Sequence, residues 1–352
     1  MIRNLNRNSL LATSATFAVA MAATLCAEPS LKVGDAAPKL TIDKWLKGEP
    51  VSSLESGKVY VVEFWATWCG PCIAQMPHMT QMQKDFKDKG VTLISVTSED
   101  PRNSLEKAEA MVKAKSDSMG YTVAWDKERE TYDAYMQAAE RNGIPCCFVV
   151  DQKGKIAWIG HPMWLEEVLA PLTAGKWDAK EGPTSITNAE KELNAVFMKA
   201  RENPSDALAA FEKFESAHPG VAKTFETMKY QLAMAAGDEK KADAIATKLV
   251  DRAIADKNEG VLNEIAWTIV APDSPFENRN LDLALRAAEK ADEFTNHNNA
   301  PIIDTLARAH FLKGNVTKAI ELQRKAIDLV GDEEKSSYQG SLDEYLAAQK
   351  ES

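Results

Sequence analysis

Two cysteines separated by two residues, in Trp68-Cys69-Gly70-Pro71-Cys72, are the residues of this 352-residue chain best suited to chemistry. A dithiol at this spacing closes a small disulfide ring and reopens it readily, which is the chemistry of thiol–disulfide exchange. The motif follows an apolar run and opens a helical pattern, so its first cysteine meets unpaired backbone N–H groups and the positive end of the helix dipole. Such surroundings lower a thiol pKa from about 8.5 toward about 7. Cys69 is therefore the expected nucleophile, and Cys72, one turn on, the expected resolving thiol. Trp68, Gly70 and Pro71 frame the pair and are expected to meet the substrate. The competing reading is half of a zinc site, but Cys146 and Cys147 are adjacent and lack the spacing of a second ligand pair.

Glu63 is the third chemical residue. It interrupts the apolar run VYVVEFW (59–65), where a buried carboxylate is costly and its pKa rises toward neutrality. It is expected to act as general acid/base for Cys72, unless its face of the strand is exposed or a lysine pairs with it. Strand alternation sends Cys146 and Cys147 to opposite faces, so they read as buried apolar residues; an auxiliary disulfide through Cys146 is the alternative. His78, His161, His218, His297 and His310 have no ligand spacing, and no glycine-rich phosphate loop occurs, so neither a metal nor a cofactor is expected.

These residues need a scaffold, and up to about residue 180 the sequence alternates short β-type runs with amphipathic stretches. Strands are predicted at 59–65, 92–96, 121–124, 147–151 and 156–160. Helices are predicted at about 70–88, 103–117, 129–140 and 165–173. The Gln152-Lys153-Gly154 turn marks a hairpin, so parallel βαβ units precede an antiparallel pair and a closing helix.

Val62-Glu-Phe-Trp-Ala-Thr-Trp-Cys-Gly-Pro-Cys72 resembles the thioredoxin superfamily. With Val33-Gly-Asp-Ala-Ala-Pro38 upstream and Gly143-Ile-Pro145 downstream, residues 31–176 are similar to the exported TlpA/ResA-type thiol-disulfide oxidoreductases of the redoxin family. The resemblance implies a thioredoxin fold, a redox-active Cys69/Cys72 disulfide, and a cis-proline at Pro145 facing it. It also implies that Ile144 offers backbone for substrate pairing, that Pro77 kinks the first helix, and that Glu63 stands where thioredoxins carry a buried proton-moving aspartate. By its residues alone, Ile-Pro before a strand is compatible with either isomer. Gln75 departs from the glutamate that ResA-type proteins often carry three residues after the second cysteine. The Gly-Pro dipeptide is that of thioredoxin, a strong reductant at about −270 mV, which favours reduction of protein disulfides. Val33–Pro38 also resembles the opening of peroxiredoxins, but those need an isolated peroxidatic cysteine.

From about Ile186 the pattern is almost wholly helical. Ala307, Ala319 and Ala326 flank a Gly314-Asn315 turn. Ala266, Ala284 and Ala291 repeat the arrangement, with Ala284 and Ala319 standing 35 residues apart. This resembles the tetratricopeptide repeat, whose period is about 34. Four segments are expected: a secretory signal over 1–27, a thioredoxin-like α/β domain over 28–178, a linker over 179–186, and an all-α repeat domain over 187–352. The signal reading rests on Arg3 and Arg7, the absence of acidic residues, and the small-apolar run from Leu10 to Leu25. It places the chain outside the cytoplasm, in a periplasmic or other extracytoplasmic compartment. Lipid anchoring at Cys26 is not expected, because Leu25 stands where a lipobox carries a small residue.

Five cysteines are too few for a disulfide framework. The net charge of −10, with 42 basic against 52 acidic residues, argues against nucleic acid as a partner. Expected partners are protein thiols or disulfides, an upstream electron donor, and a client held by the repeat half. A client-binding protein with an accessory redox module, or a thiol peroxidase, remains the alternative.

Overall fold

Val59–Trp65 is buried along its whole length, as a nearly continuous apolar run must be when packed layers cover both faces of its sheet. In the computed structural model, which describes residues 30–274 and 276–351, this strand (β2) is central to a six-stranded mixed sheet. The expected signal segment and Cys26 lie outside the described residues. The other strands are β1 (Lys44–Lys47), β3 (Val91–Ser98), β4 (Thr122–Asp126), β5 (Cys146–Val150) and β6 (Ile156–Gly160), in spatial order β1-β4-β3-β2-β5-β6. β2 runs parallel to β3, and β3 to β4; β5 lies antiparallel to β2, β6 to β5, and β1 to β4. Parallel crossovers followed by an antiparallel hairpin give the thioredoxin fold.

The helices of this half are α1 (Gly70–Lys87), α2 (Leu105–Ala114), α3 (Glu130–Tyr132, continued by a π-helical turn over Asp133–Gln137) and α4 (Leu165–Thr173). The sheet separates two apolar layers. Val59, Val61 and Trp65 pack with Cys72, Met76, Met79 and Phe86 of α1, while Tyr60, Val62 and Phe64 pack with Tyr135, Met136 and Phe148.

Three elements differ from the sequence reading. The helix expected at 103–117 ends at Ala114, because Lys115 leaves helical geometry (φ −109°, ψ 25°) and a 3₁₀ turn follows. The helix expected at 129–140 is one α turn and one π turn, with Arg129 and Glu140 left-handed at its ends. β1 went unforeseen: it is a four-residue edge strand with a register shift between Trp45 and Lys47, too short to show alternation.

The remaining helices are α5 (Glu181–Glu202), α6 (Pro204–Ala217), α7 (Pro219–Ala222), α8 (Glu226–Ala235), α9 (Glu239–Ala255), α10 (Glu259–Val270), α11 (Leu281–Phe294), α12 (Ala300–Leu312), α13 (Val316–Asp328) and α14 (Lys335–Glu351). Apart from the short α7, each packs on the next in line, and α10 also touches α12, as α12 does α14. Ala266, Ala284, Ala291, Ala307, Ala319 and Ala326 are fully buried, which is how these helix backbones approach closely. Gly314 turns between α12 and α13 at φ +82°, where a Cβ would be strained. The two halves share one apolar core: Trp164, just before α4, packs its ring edge-on against Phe214 of α6 at 6.3 Å.

Candidate active site

β2 ends at Trp65, and four residues later the chain enters α1 with Cys69 as its N-cap. Cys69 and Cys72 form a disulfide, and the Cys72 backbone N–H points at Cys69 Sγ from 3.2 Å. A thiolate at Sγ would receive that N–H and the helix dipole together, both favouring the charged form. Each cysteine is only 3% exposed, so a partner reaches the pair from the rim. The rim is Trp68, Gly70 and Pro71, all exposed, and Ile144, whose carbonyl oxygen lies 3.7 Å from Cys69 Sγ. The Ile144–Pro145 peptide is cis. Of the residues singled out from the sequence, Trp68, Cys69, Gly70, Pro71, Cys72, Ile144 and Pro145 thus gather where β2 ends and the antiparallel β5 begins.

Glu63 sits on the same face of β2 as Trp65, the face that α1 covers. It is 4% exposed and pairs across the sheet with Ser95 of β3 and Cys147 of β5. Burial pushes its carboxyl up to about 7 against the one opposing interaction, a hydrogen bond donated by Ser95 Oγ to Oε2. No lysine pairs with it among the described residues. Cys147 shares this face; burial and the nearby Glu63 hold its thiol well above the ordinary range. Cys146 points to the opposite layer, beside Phe64 and Phe148, where burial pushes its thiol up to about 12. Both are free thiols, and the strand's alternation, which sends them to opposite layers, disfavours a bond between the two.

The sequence reading missed the residues that hold the motif in place. Asn103, 2% exposed, accepts from Thr67 N and Thr67 Oγ1 at 3.2 and 2.7 Å, and donates to Thr97 Oγ1 and the Ser98 carbonyl at 2.9 and 2.6 Å. It ties the loop before Cys69 to the end of β3. Trp68 Nε1 donates to Asp100 Oδ2 at 2.8 Å. A lone Asn after a Pro-Arg pair carries no sequence signal for this role. Nor are the histidines as scattered as they read: His161 lies close enough to His78 of α1 to feel its charge, and burial lowers both pKa values.

Comparison with known proteins adds the lineage. Residues 33–159 match the model of the AhpC/TSA family. Protein FixW of Rhizobium leguminosarum is 32% identical over 187 residues, covering 52% of this chain and 84% of that protein. The thioredoxin-like protein YneN of Bacillus subtilis is 33% identical over 133 residues, 37% of this chain and 71% of that one. The thiol-disulfide oxidoreductase ResA of Oceanobacillus iheyensis is 31% identical over 131 residues, 36% of this chain and 62% of that one. The chain belongs to the thioredoxin-like thiol-disulfide oxidoreductases.

Among solved structures, a thioredoxin-family thiol:disulfide interchange protein of Chlorobium tepidum is 26% identical. The match covers 39% of the oxidoreductase and 95% of that chain, with a TM-score of 0.34.

Proposed function

We propose that this oxidoreductase is exported and reduces protein disulfides through Cys69 and Cys72. The observation that carries this reading is the disulfide at the mouth of α1, flanked by the Ile144 carbonyl on one side and exposed Trp68 on the other. In the reduced protein the Cys69 thiolate attacks one sulfur of a substrate disulfide, forming a mixed disulfide and releasing the first substrate thiolate. Cys72, deprotonated, then attacks Cys69 Sγ. This releases the second substrate thiolate and re-forms the Cys69–Cys72 bond. Two electrons and two protons pass to the substrate, and an external electron donor must return them. Glu63, buried beneath α1 with a carboxyl near neutrality, is the proposed acceptor of the Cys72 proton. Trp68, Gly70, Pro71, Ile144 and Pro145 are the proposed substrate contacts.

We also propose 28–178 and 187–352 as the two functional units, joined through 179–186; residues 181–186 form the opening turns of α5. Among the described residues no helix is long and apolar enough to cross a membrane. The tetratricopeptide-like half presents a groove of about 650 Å³ along α10, α12 and α14, with Trp267 40% exposed in it, which supports a client-binding role. Thiol peroxidase activity has less support, because Cys69 is bonded to a neighbour one turn away rather than isolated.

The test is reduction of a protein disulfide by the reduced full-length chain. Cys69→Ser should abolish turnover, and Cys72→Ser should accumulate a mixed disulfide. A measured potential for the pair near that of a strong oxidant, about −120 mV, would overturn the direction of electron flow. Client capture undiminished in a Cys69→Ala, Cys72→Ala variant would assign binding to the helical half.

A further inference from the structure

Beside the disulfide runs a groove of about 460 Å³, lined by Trp68 and Ile144, which flank Cys69, and by Arg102, Arg129 and Tyr132. Two guanidinium groups face it in the same unusual state. Arg102 lies flat on the Trp68 ring, 3.7 Å from its centroid, and Arg129 on the Tyr132 ring, 3.9 Å from its centroid. Among the described residues, neither has a carboxylate within ion-pair distance. The one acidic residue lining the groove, Asp100, is turned elsewhere: Oδ2 accepts from Trp68 Nε1 and Oδ1 from the Arg102 backbone N–H. Arg129 is also fixed in place, with its backbone in the left-handed region (φ +61°) and Nη1 donating to the Glu99 carbonyl at 3.2 Å. Stacking and one backbone contact leave most of the N–H donors of both side chains free. A non-glycine residue held at positive φ usually marks a position that surrounding structure over-determines.

Arginine held flat on an aromatic face presents a planar fork matched to a carboxylate, already ordered before anything binds. An extended peptide advances about 3.3 Å per residue, so a substrate whose cysteine sits at Cys69 carries its next residues into this groove. We propose that the groove is a specificity site for the residues flanking the substrate's reactive cysteine, and that Arg102 and Arg129 there select an aspartate or glutamate side chain. This rests on the proposed exchange reaction at Cys69 and names the substrate class for it: disulfides with an acidic neighbour. The selection is local, since a chain of net charge −10 offers no long-range attraction to an acidic partner.

The test uses the reduced full-length protein and two blocked disulfide peptides that differ only in carrying Glu or Gln beside the cysteine. Oxidation of the protein by the Glu peptide is expected to have a kcat/KM about tenfold higher, equivalent to about 1.4 kcal/mol, carried by KM and shrinking in 1 M salt. In Arg102→Gln, Arg129→Gln the ratio should fall to about one, and Arg129→Lys should keep part of it. Equal rates for the two peptides with the natural protein, or a ratio that survives loss of both arginines, would overturn the proposal. Affinity of the same peptides for full-length Cys69→Ser, Cys72→Ser protein separates the two readings. A tenfold preference in that binding, with no exchange by the natural protein, leaves the groove standing and removes the reaction. Exchange or binding without preference removes the groove.

Discussion

Glu63 couples stability to pH in a direction opposite to that of an ordinary carboxylate. Its pKa rises from 4.5 to about 7 on folding, so the folded state holds a proton that the unfolded state releases. Its contribution is fully favourable below about pH 4.5 and is lost as pH rises through 7, where a buried charge costs roughly 3 kcal/mol. Glu63→Gln should therefore be more stable than the natural protein at pH 8, by up to about 3 kcal/mol, with the gap closing by pH 5; urea unfolding at the two pH values reads this. If Glu63 takes the proton of Cys72, the same variant should lose the inflection near pH 7 in the rate of mixed-disulfide resolution. The buried thiols give a second expectation. Oxidised native protein should take no alkylating label at Cys146 or Cys147, and both should react once the chain is unfolded without reductant, counted by intact mass. Glu63 was legible because a single charge inside an apolar run has few places to go. Ser95, its hydrogen-bond partner, was not, since nothing in TLISV gives the cross-strand register that brings the two together.

At the scale of elements, hydrogen bonds to Asn103 and Asp100 hold the motif loop alongside the core packing of Trp65, Ala66 and Cys69. Asn103→Ala removes the protein partner of Thr67 N and Oγ1 at a part-buried site. It should cost about 2–3 kcal/mol in denaturant stability and lower kcat/KM for disulfide reduction, since Trp68 and Cys69 lose their anchor to β3. Asp100→Asn is the milder comparison, keeping an acceptor for Trp68 Nε1. Strands read well from the sequence because a run such as CFVV is too short for a helix and rich in β-branched and aromatic residues, though its periodicity alone does not separate strand from helix. The segment after Arg129 read as a plain helix, because Tyr132, Tyr135, Met136 and Ala139 have helical spacing. Periodicity does not distinguish an α turn from a π turn, and left-handed Arg129 and Glu140 set the limits.

Across the whole molecule, the seam between the halves is made of large side chains. Trp164 is almost fully buried against Phe214, and Phe214 packs on His218 at 5.0 Å, whose Nδ1 lies 3.5 Å from Glu167 of α4. Trp164→Ala should destabilise by about 3–5 kcal/mol and reduce hydrogen-exchange protection in both β5 and α6; loss confined to α6 would mean the halves unfold separately. The composition shift near residue 180 made two halves legible, but their shared core was not. A tryptophan preceding a closing helix reads as part of its own domain, and only the fold brings Phe214 over it.

That seam bears on how such chains recombine. Severed near residue 178, the sheet-bearing half would bare Trp164 and the apolar side of α4 to water, together with the surface that α7 now covers. A gene that inherited only the catalytic half would gain a sticky flank along with its chemistry. Transplanting this redox unit onto another partner therefore means carrying Phe214 and its neighbours along, or substituting charge for Trp164.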